Sequence, residues 1–376
     1  MEFIDLKSQY ARVRSELHER IEAVLNHGQF IMGPEIAELE AILAPMAGVR
    51  HAVTVSSGTT SLEIALRALG IGPGHEVITV PFTWISSAEV IALVGASAVF
   101  VDIERETYNI DPALIEAAVT PRTRAILAVN LFGQMADYER INAIAAKHGL
   151  TVIEDAAQSF GAMRNGVSSG GATLVGSTSF FPAKPLGCYG DGGALFTNDD
   201  ALADLMRAIR THGGLVRHHH PHLGTNGRFD TLQAAMMLPK LPLFAEELDA
   251  RNRIAARYSA KLADVCAVPV IAEGNTHVWA QYTIRVPDRD ALGVALKSRG
   301  VPTAVYYPKC LHEQPVFASC GRPWGSFPES ERASREVISL PMHPYLTEAD
   351  QDRIVGAVRE VLAPMQDDAR TLGVRP

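Results

Sequence analysis

The sequence has 376 residues, of which 47% are hydrophobic and 20% are charged, and its formal net charge is −8. A chain of this length exceeds the size at which one hydrophobic core usually stops growing, so we expect two domains. The acidic balance argues against a general affinity for nucleic acid or anionic membranes, because both bind basic surfaces. The apolar, uncharged stretch of residues 90–101 is too short to span a bilayer as a helix. We therefore expect no nucleic-acid partner and no membrane segment.

Cysteine placement and the first residues indicate the compartment. The four cysteines are scattered and form no C-x-x-C pair: Cys188, Cys266, Cys310 and Cys320. This usage is typical of a reducing compartment and indicates neither a redox motif nor a metal motif. Charged residues interrupt the first seven positions and no apolar core is present there, so we expect no secretory signal. These observations predict a cytoplasmic protein.

The first predicted elements in chain order are two helices. Apolar residues such as Val13, Leu17 and Ile21 recur at helical spacing. Residues 27–34 interrupt this pattern, and a proline such as Pro34 is typical of the first position of a new helix.

From His51 onward, apolar runs typical of strands alternate with amphipathic patterns typical of helices. The predicted strands are 52–55, 76–80, 98–102, 124–129 and 151–154, and the helices between them are 61–69, 86–94, 112–119 and 137–147. Two more strands, 174–180 and 194–197, and a helix over 201–211 follow. This alternation predicts βαβ units and an α/β fold with a mostly parallel sheet flanked by helices.

The C-terminal part predicts a smaller α/β lobe. A long helix ends near Leu262, and we place the domain boundary within 241–247, which divides the chain into residues 1–245 and 246–376. Strands over 281–286 and 301–306 and a helix over 350–362 complete this lobe. Beyond Pro364 the sequence is polar, and we expect a frayed tail.

One lysine stands among small and apolar residues where a predicted strand leads into a glycine-rich turn. The segment is 179–193, SFFPAKPLGCYGDGG, and the lysine is Lys184. Burial lowers the pKa of a lysine and makes its amine nucleophilic toward carbonyl groups, as in Schiff-base enzymes. The alternative is a loop lysine that extends its charged end into water.

Two carboxylates end an earlier predicted strand. The β-branched run 151–153 leads into Glu154 and Asp155, and the carboxyl ends of parallel strands face the crevice where such sheets bind ligands. A buried carboxylate needs a cationic partner, which a protonated pyridine nitrogen would supply. A lysine and a carboxylate are the two protein groups expected of a pyridoxal phosphate site. The alternative for Asp155 is a simple cap at the strand end.

A third motif is typical of phosphate binding. Residues 53–66, VTVSSGTTSLEIAL, predict a strand, a tight turn and an amphipathic helix, with Ser57 or Gly58 at the helix N-cap. Free N–H groups at a helix start bind phosphate. Taken alone, the segment is more typical of an ordinary serine-capped helix.

These three motifs, in this order, resemble the DegT/StrS-type nucleotide-sugar aminotransferases, which have the aspartate aminotransferase fold (fold type I of pyridoxal phosphate enzymes). The resemblance extends from Phe3 to Pro344, and residues 181–194 resemble in particular the enzymes that aminate carbon 3 of UDP-2-acetamido-2-deoxy-3-oxo-glucuronate. Two positions depart from many relatives, which have Glu at the position of Asp191 and Asp at that of Thr60. The fold implied is a large cofactor-binding domain, with an N-terminal arm, and a smaller C-terminal domain.

The resemblance implies roles around pyridoxal 5′-phosphate. Lys184 would be the Schiff-base lysine and proton carrier, and Asp155 would keep the ring nitrogen protonated. Gln158 would contact the ring 3-oxygen, although by itself it is an unremarkable polar residue. Trp84 would stack on the ring, with a core tryptophan as the alternative.

The resemblance also implies a phosphate site shared between two chains. Backbone N–H groups of Gly58 and Thr59, and the hydroxyls of Thr59 and Ser179, would bind the phosphate. Asn226, in the segment 224–235, would reach the phosphate of a partner subunit. This implies a homodimer with shared active sites.

Substrate contacts are the least specific part of the resemblance. Arg228 would meet an anionic group of the substrate with planar, bidentate geometry; the alternative is a surface pair with Asp230. The other implied substrate positions are Gly28, Phe30, Tyr306, Tyr307 and His312. The histidines of 218–222, HHHPH, suggest either metal binding or a mobile polar loop, and we favour the loop and predict no metal site.

The implied activity is transamination in two half-reactions, with glutamate as amino donor and a nucleotide-linked 3-ketosugar as acceptor, in surface polysaccharide (O-antigen) biosynthesis. The alternatives are a different ketosugar, such as a dTDP-3-oxo-6-deoxyhexose, or a cofactor-binding regulator without turnover. A dinucleotide oxidoreductase is disfavoured, because no G-x-G-x-x-G follows the first strand.

Overall fold

The computed structural model describes residues 1–371, with side chains as far as residue 363. Over this part of the chain there are twelve α-helices and eleven strands. The helices are α1 Leu6–His27, α2 Pro34–Met46, α3 Gly58–Ala68, α4 Ser86–Leu93, α5 Pro112–Ile115, α6 Tyr138–His148, α7 Asp200–Arg210, α8 Thr231–Met237, α9 Leu241–Leu262, α10 Arg289–Ser298, α11 Pro328–Glu336 and α12 Glu348–Thr371. The strands are β1 His51–Val55, β2 Glu76–Thr79, β3 Ser97–Phe100, β4 Thr123–Val129, β5 Thr151–Asp155, β6 Met163–Arg164, β7 Val167–Ser168, β8 Val175–Ser179, β9 Gly193–Thr197, β10 Tyr282–Arg285 and β11 Val337–Leu340.

Seven strands form one central sheet in the order β1-β9-β8-β5-β4-β2-β3. The pairs from β8 to β3 are parallel, and β9 runs antiparallel to both of its neighbours. Val129 at the end of β4 lies opposite Asp155 at the end of β5. This parallel register places the ends of β4, β5 and β8 at one edge of the sheet, and the predicted α/β fold with a mostly parallel sheet is confirmed.

Local capping defines the helices that frame this edge. Ser57 is the N-cap of α3, where its hydroxyl accepts a hydrogen bond from the Thr60 N–H at 3.0 Å. Helix α1 ends at Gly28, whose φ of 70° is a left-handed conformation that glycine adopts without strain. None of the helices over the described residues is long and apolar enough to cross a bilayer.

The hydrophobic residues pack into separate cores. One core surrounds the central sheet, and another is built from residues 254–362, including Tyr258, Tyr282 and Leu340. Helix α9 is continuous through the predicted boundary at 245/246, which stays a prediction. The segment around α11 crosses back, because Phe317 and Phe327 pack against Phe100 at the end of β3.

Two predictions for the C-terminal part were wrong in extent. Residues 301–306 do not form a strand: only Ala304 bridges Ser339, and Pro302 lacks the N–H that a ladder needs. Helix α12 continues past the predicted end at residue 362 to Thr371, so the frayed tail expected beyond Pro364 is instead helical as far as Thr371. The remainder of that predicted tail lies outside the described residues.

Candidate active site

A cavity of about 400 Å³ lies where β4, β5 and β8 end. The start of α3 and the first turn of α4 form one wall, and residues of the C-terminal lobe form another. Nine of the predicted site residues line this cavity: Gly58, Thr59, Trp84, Asp155, Gln158, Ser179, Lys184, Tyr306 and Tyr307. The location agrees with the rule that open α/β sheets bind ligands at the carboxyl ends of their strands.

Lys184 projects from the turn that follows β8. The turn is closed by backbone bonds from Lys184 N to the Phe181 carbonyl at 2.9 Å and from Cys188 N to the Phe180 carbonyl at 2.8 Å. Burial lowers the pKa of the Lys184 amine to about 8, and the negative charge of Asp155 opposes this shift. Near neutral pH a usable fraction of this amine is therefore uncharged and nucleophilic.

A second lysine, Lys240, supports the turn that carries Lys184. Lys240 is 1% exposed, and its Nζ donates to the Gly187 carbonyl at 2.7 Å. The same amine lies 3.4 Å above the centre of the Tyr189 ring, a cation–π contact. Burial lowers the pKa of Lys240 to about 8. Lys240 thus fixes the backbone three residues after Lys184.

Asp155 ends β5 as a buried carboxylate. Its Oδ1 accepts from the Ala157 N–H at 3.1 Å, and its Oδ2 accepts from the Ser87 hydroxyl at 3.0 Å. Burial raises the pKa of Asp155, while these two donors and the nearby Lys184 lower it. Neighbouring Glu154 faces elsewhere: it accepts from Asn130 and Ser169, so its role is structural.

The start of α3 approaches Ser179 closely. A Cβ built on Gly58 would lie 2.7 Å from the Ser179 Cβ, so only glycine fits here. The N–H groups of Gly58 and Thr59 have no acceptor among the described residues, as expected for a first helical turn. The Thr59 hydroxyl is 3.0 Å from that of Ser86. This arrangement is suited to an anion.

Three further side chains close the cavity. Gln158 Oε1 accepts from the Phe132 N–H at 2.8 Å, and its Nε2 donates to the Tyr307 hydroxyl at 3.2 Å. Burial raises the pKa of Tyr307. Trp84 is 58% exposed, and its ring centre lies 6.0 Å from that of Tyr307. Trp84 is therefore not a core tryptophan.

The remaining predicted substrate and phosphate residues do not line this cavity. Asn226 is exposed, and its backbone bridges Thr211. Arg228 bridges Val55 at the end of β1, and its Nε is buried with no hydrogen-bond acceptor among the described residues. Gly28 and Phe30 lie on the surface beyond the end of α1, with Phe30 47% exposed.

His312 is also absent from the cavity wall. Its side chain is fully buried, 3.2 Å from the Glu331 carboxylate and edge-on to the Phe327 ring. The structure does not bring it together with Lys184. The apolar side chains of Phe317 and Phe327 draw this segment onto the end of β3 instead.

The histidine-rich loop does not converge on a site. His218, His219, His220 and His222 are exposed, and among the described residues the one side-chain bond in this group joins His220 Nδ1 to the His212 carbonyl at 2.9 Å. Within the described residues no group of three or more His, Cys, Asp or Glu side chains could hold a metal ion.

Several cavity residues were not predicted from the sequence. They are Ile4, Leu62, Thr83, Ser86, Ser87, Val129, Ala157, Phe181, Ala183, Asp191 and Gln281. Ser86 and Ser87 open α4 directly after the Pro81–Trp84 segment, which was a signal that could have been used. Ile4 and Gln281 carry no local signal, because they reach the cavity only through the packing of distant segments.

Comparison with known proteins places this site in a family. Residues 11–359 match the model of the DegT/DnrJ/EryC1/StrS aminotransferase family. The chain belongs to this family. It is 51% identical to the UDP-2-acetamido-2-deoxy-3-oxo-D-glucuronate aminotransferase of Pseudomonas aeruginosa, covering 95% of this chain and 99% of the relative. It is 46% identical to a pleiotropic regulatory protein of Geobacillus stearothermophilus, covering 95% of this chain and 97% of the relative.

A solved structure agrees with this assignment. The DesV protein of Streptomyces venezuelae, crystallised with a ketimine intermediate, superposes with a TM-score of 0.94 at 40% identity, covering 96% of this chain and 97% of that one. The aspartate-aminotransferase-like fold is confirmed. The present DegT/DnrJ/EryC1/StrS protein is accordingly an aminotransferase, and it uses pyridoxal 5′-phosphate.

The residues of this aminotransferase fit that cofactor. Lys184 supplies an amine whose pKa burial lowers to about 8. Asp155 is a buried carboxylate that forms no ion pair with a cation of the described chain. The protonated ring nitrogen of the cofactor would supply the missing positive charge. The cleft at Gly58, which a Cβ would fill, leaves free N–H groups for a phosphate.

Proposed function

We propose that the enzyme transfers an amino group from glutamate to carbon 3 of UDP-2-acetamido-2-deoxy-3-oxo-glucuronate, as a cytoplasmic homodimer in surface polysaccharide (O-antigen) biosynthesis. The observation that carries this proposal is the 51% identity, over 95% of the chain, to an aminotransferase named for that sugar. The relatives in this family are named for several different nucleotide sugars. Family membership therefore establishes the reaction type, and the acceptor is the part that we propose.

Each cavity residue has a proposed part in this reaction. Bound pyridoxal phosphate supplies an aldehyde that condenses with amines and a ring that withdraws electrons from the neighbouring carbon. Lys184 Nζ holds the cofactor, takes a proton from the amino donor and returns one to the acceptor. Asp155 would keep the ring nitrogen protonated, and Gln158, which is aligned by Phe132 N–H and Tyr307, would contact the ring 3-oxygen. Trp84 would cover the ring face.

The phosphate would be held by two chains. Gly58, Thr59 and Ser179 supply the donors of one subunit. Asn226 is exposed on its own subunit, which suits a contact with the phosphate of the partner.

Sugar recognition is proposed for residues on both sides of the dimer. Arg228 carries a buried Nε with no acceptor among the described residues, so an anionic group such as a uronate carboxylate would satisfy it. Gly28 and Phe30 would approach the neighbouring cavity from the surface, and Tyr307 lines its own. His312 would act only through its contact with Phe327, because its side chain is buried.

A co-substrate screen tests the reaction. Purified holoenzyme is converted to its amine form with glutamate, then offered UDP-linked and dTDP-linked 3-ketosugars while the visible absorbance of the cofactor is followed. We expect glutamate to bleach the visible absorbance and UDP-2-acetamido-2-deoxy-3-oxo-glucuronate to restore it. Return of the colour only with dTDP-3-oxo-6-deoxyhexose would assign the alternative acceptor.

A further inference from the structure

The carboxylate of Asp155 has two hydrogen-bond donors of different kinds. Its Oδ1 accepts from the Ala157 N–H at 3.1 Å, a bond within the same chain segment. Its Oδ2 accepts from Ser87 at 3.0 Å, across 68 residues of sequence. The backbone donor is present with any residue except proline at position 157, so Ser87 is the donor that a side-chain substitution removes without changing the backbone.

Ser87 is placed and oriented by its surroundings. It lies in the first turn of α4 and is 1% exposed. Its hydroxyl is 3.3 Å from that of Thr83, which is 2% exposed. An ionised carboxylate only accepts hydrogen bonds, so Ser87 donates to Asp155 and its oxygen is left to accept from Thr83. The direction of both hydroxyls is thereby fixed.

Other titratable groups also face Asp155. Lys184 follows β8 and favours the ionised carboxylate. Burial raises the pKa of Tyr307 from the C-terminal lobe and of Tyr138 from α6, and the charge of Asp155 adds to both shifts. Glu154 precedes Asp155 but is bonded by Asn130 and Ser169 on the other side. Lys184 is the single cation in this group, and it is committed to the cofactor aldehyde.

We propose that Ser87 is a positioning residue that keeps Asp155 ionised and aimed at the cofactor ring nitrogen, with Thr83 orienting the Ser87 hydroxyl. This inference rests on the role of Asp155 in the proposed function. A hydrogen bond from a hydroxyl to a buried carboxylate favours the charged form, so losing it lets Asp155 take up a proton more easily. A neutral Asp155 would no longer pair with a protonated ring nitrogen.

The experiment compares four single variants, Ser87→Ala, Ser87→Cys, Asp155→Asn and Thr178→Val, and one double variant, Ser87→Ala with Asp155→Asn. Thr178 is the matched control, since its hydroxyl is fully buried and donates to the Ala156 carbonyl at 3.2 Å without touching Asp155. Two quantities are measured: the dissociation constant of pyridoxal phosphate for the apoprotein, from tryptophan fluorescence, and the pH midpoint of the visible absorbance of the bound cofactor.

We expect Ser87→Ala to weaken cofactor binding about tenfold. The absorbance midpoint should rise by roughly half a pH unit or more, because a less positive ring holds the proton on the Lys184 nitrogen more tightly. Ser87→Cys keeps a weak donor of similar shape, so its values should fall between those of Ser87→Ala and the wild type. Thr178→Val should stay within about twofold of the wild-type dissociation constant.

The outcomes separate this inference from the proposed function. If Asp155→Asn weakens binding strongly while Ser87→Ala behaves like Thr178→Val, the role of Ser87 is refuted and that of Asp155 stands. If Asp155→Asn leaves both quantities at wild-type values, the role of Asp155 fails as well. In an Asp155→Asn background, Ser87→Ala should cause no further change, and an additive effect would contradict the inference. Should Ser87→Ala fail to fold, Ser87→Cys gives the same comparison.

Discussion

At the scale of single residues, the chemistry depends on an amine in a poorly solvated position. Burial lowers the pKa of Lys184 to about 8, from an ordinary lysine value of 10.5. Asp155 limits this shift, because a nearby negative charge favours the charged amine. The lysine and the carboxylate were recognisable in the sequence from their unusual neighbours. The position of Ser87 after the Pro81–Trp84 segment was its one signal in the sequence, and its contact with Asp155 exists only after β5 and α4 pack together.

The lowered pKa of Lys184 predicts how cofactor attachment depends on pH. Only the uncharged amine attacks the aldehyde, so the rate of attachment to the apoprotein should rise with pH up to about 8 and then level off. Stopped-flow absorbance between pH 6 and 10 measures this rate. A rate that still rises in proportion to hydroxide at pH 10 would indicate an amine with the ordinary lysine pKa.

Gly58 gives a steric prediction. In Gly58→Ala the new methyl group would meet Ser179 at 2.7 Å, so either β8 or the start of α3 must shift and the phosphate contacts should weaken. We expect the dissociation constant of pyridoxal phosphate to rise about tenfold or more. Gly356→Ala is the control, because no atom lies within 4 Å of the added Cβ and alanine favours a helix by about 0.5–1 kcal/mol. Equal cofactor affinities in the two variants would contradict the prediction.

At the scale of elements, the sequence pattern predicted the sheet well and the C-terminal lobe less well. Strands β2, β4 and β5 were found almost to the residue, because buried parallel strands have continuous apolar runs. The run 301–306 is equally apolar at its ends, but Pro302 and the pairing of β10 with β11 leave it a single bridge at Ala304. Tertiary pairing, which a local pattern does not contain, decided that case.

The turn that carries Lys184 depends on Lys240, which predicts a pH-dependent stability. Lys240→Met should lower the free energy of unfolding by about 1–3 kcal/mol, through loss of the bond to Gly187. The Lys240 pKa is about 8 when folded and 10.5 ordinarily, so the unfolded chain binds more protons between these pH values. Its contribution to stability therefore increases from pH 8 to pH 10.

Urea unfolding at pH 8 and pH 10 checks this sign. The difference in the free energy of unfolding between wild type and Lys240→Met should be larger at pH 10 than at pH 8, since both proteins share every other titrating group. Lys261→Met is the matched control, because Lys261 makes only an exposed pair with Asp352 and should change stability by less than about 1 kcal/mol. A gap that narrows at pH 10 would contradict the account.

At the scale of the whole molecule, the cavity is assembled from segments far apart in sequence. Ile4, Gln281 and Tyr307 join the residues at the strand ends. Their arrangement depends on how the N-terminal and C-terminal segments pack on the sheet, and a local sequence pattern does not contain that packing. His312 illustrates this limit: it lies near Tyr307 in sequence, yet its side chain turns into the cluster around Phe327.

One buried carboxylate, Asp102, connects the central sheet to helix α11. Asp102, after β3, accepts from the N–H groups of Glu329 and Ser330 at 2.9 Å and so caps the start of α11. Asp102→Ala should lower the free energy of unfolding by about 2–3 kcal/mol, because it leaves buried donors without an acceptor. Asp111→Ala removes a more exposed cap with one donor, Ala113 N–H, and should cost about 1 kcal/mol or less. Equal losses in the free energy of unfolding, measured with urea, would contradict the larger contribution predicted for the Asp102 cap.

The most direct measurement for the central claim is borohydride reduction of the holoenzyme followed by peptide mass spectrometry. The account predicts that reduction fixes one pyridoxal phosphate on the peptide containing Lys184, and that Lys184→Ala loses this label while keeping its fold. Labelling of another lysine, Lys240 included, or recovery of an unmodified Lys184 peptide from coloured protein would contradict it.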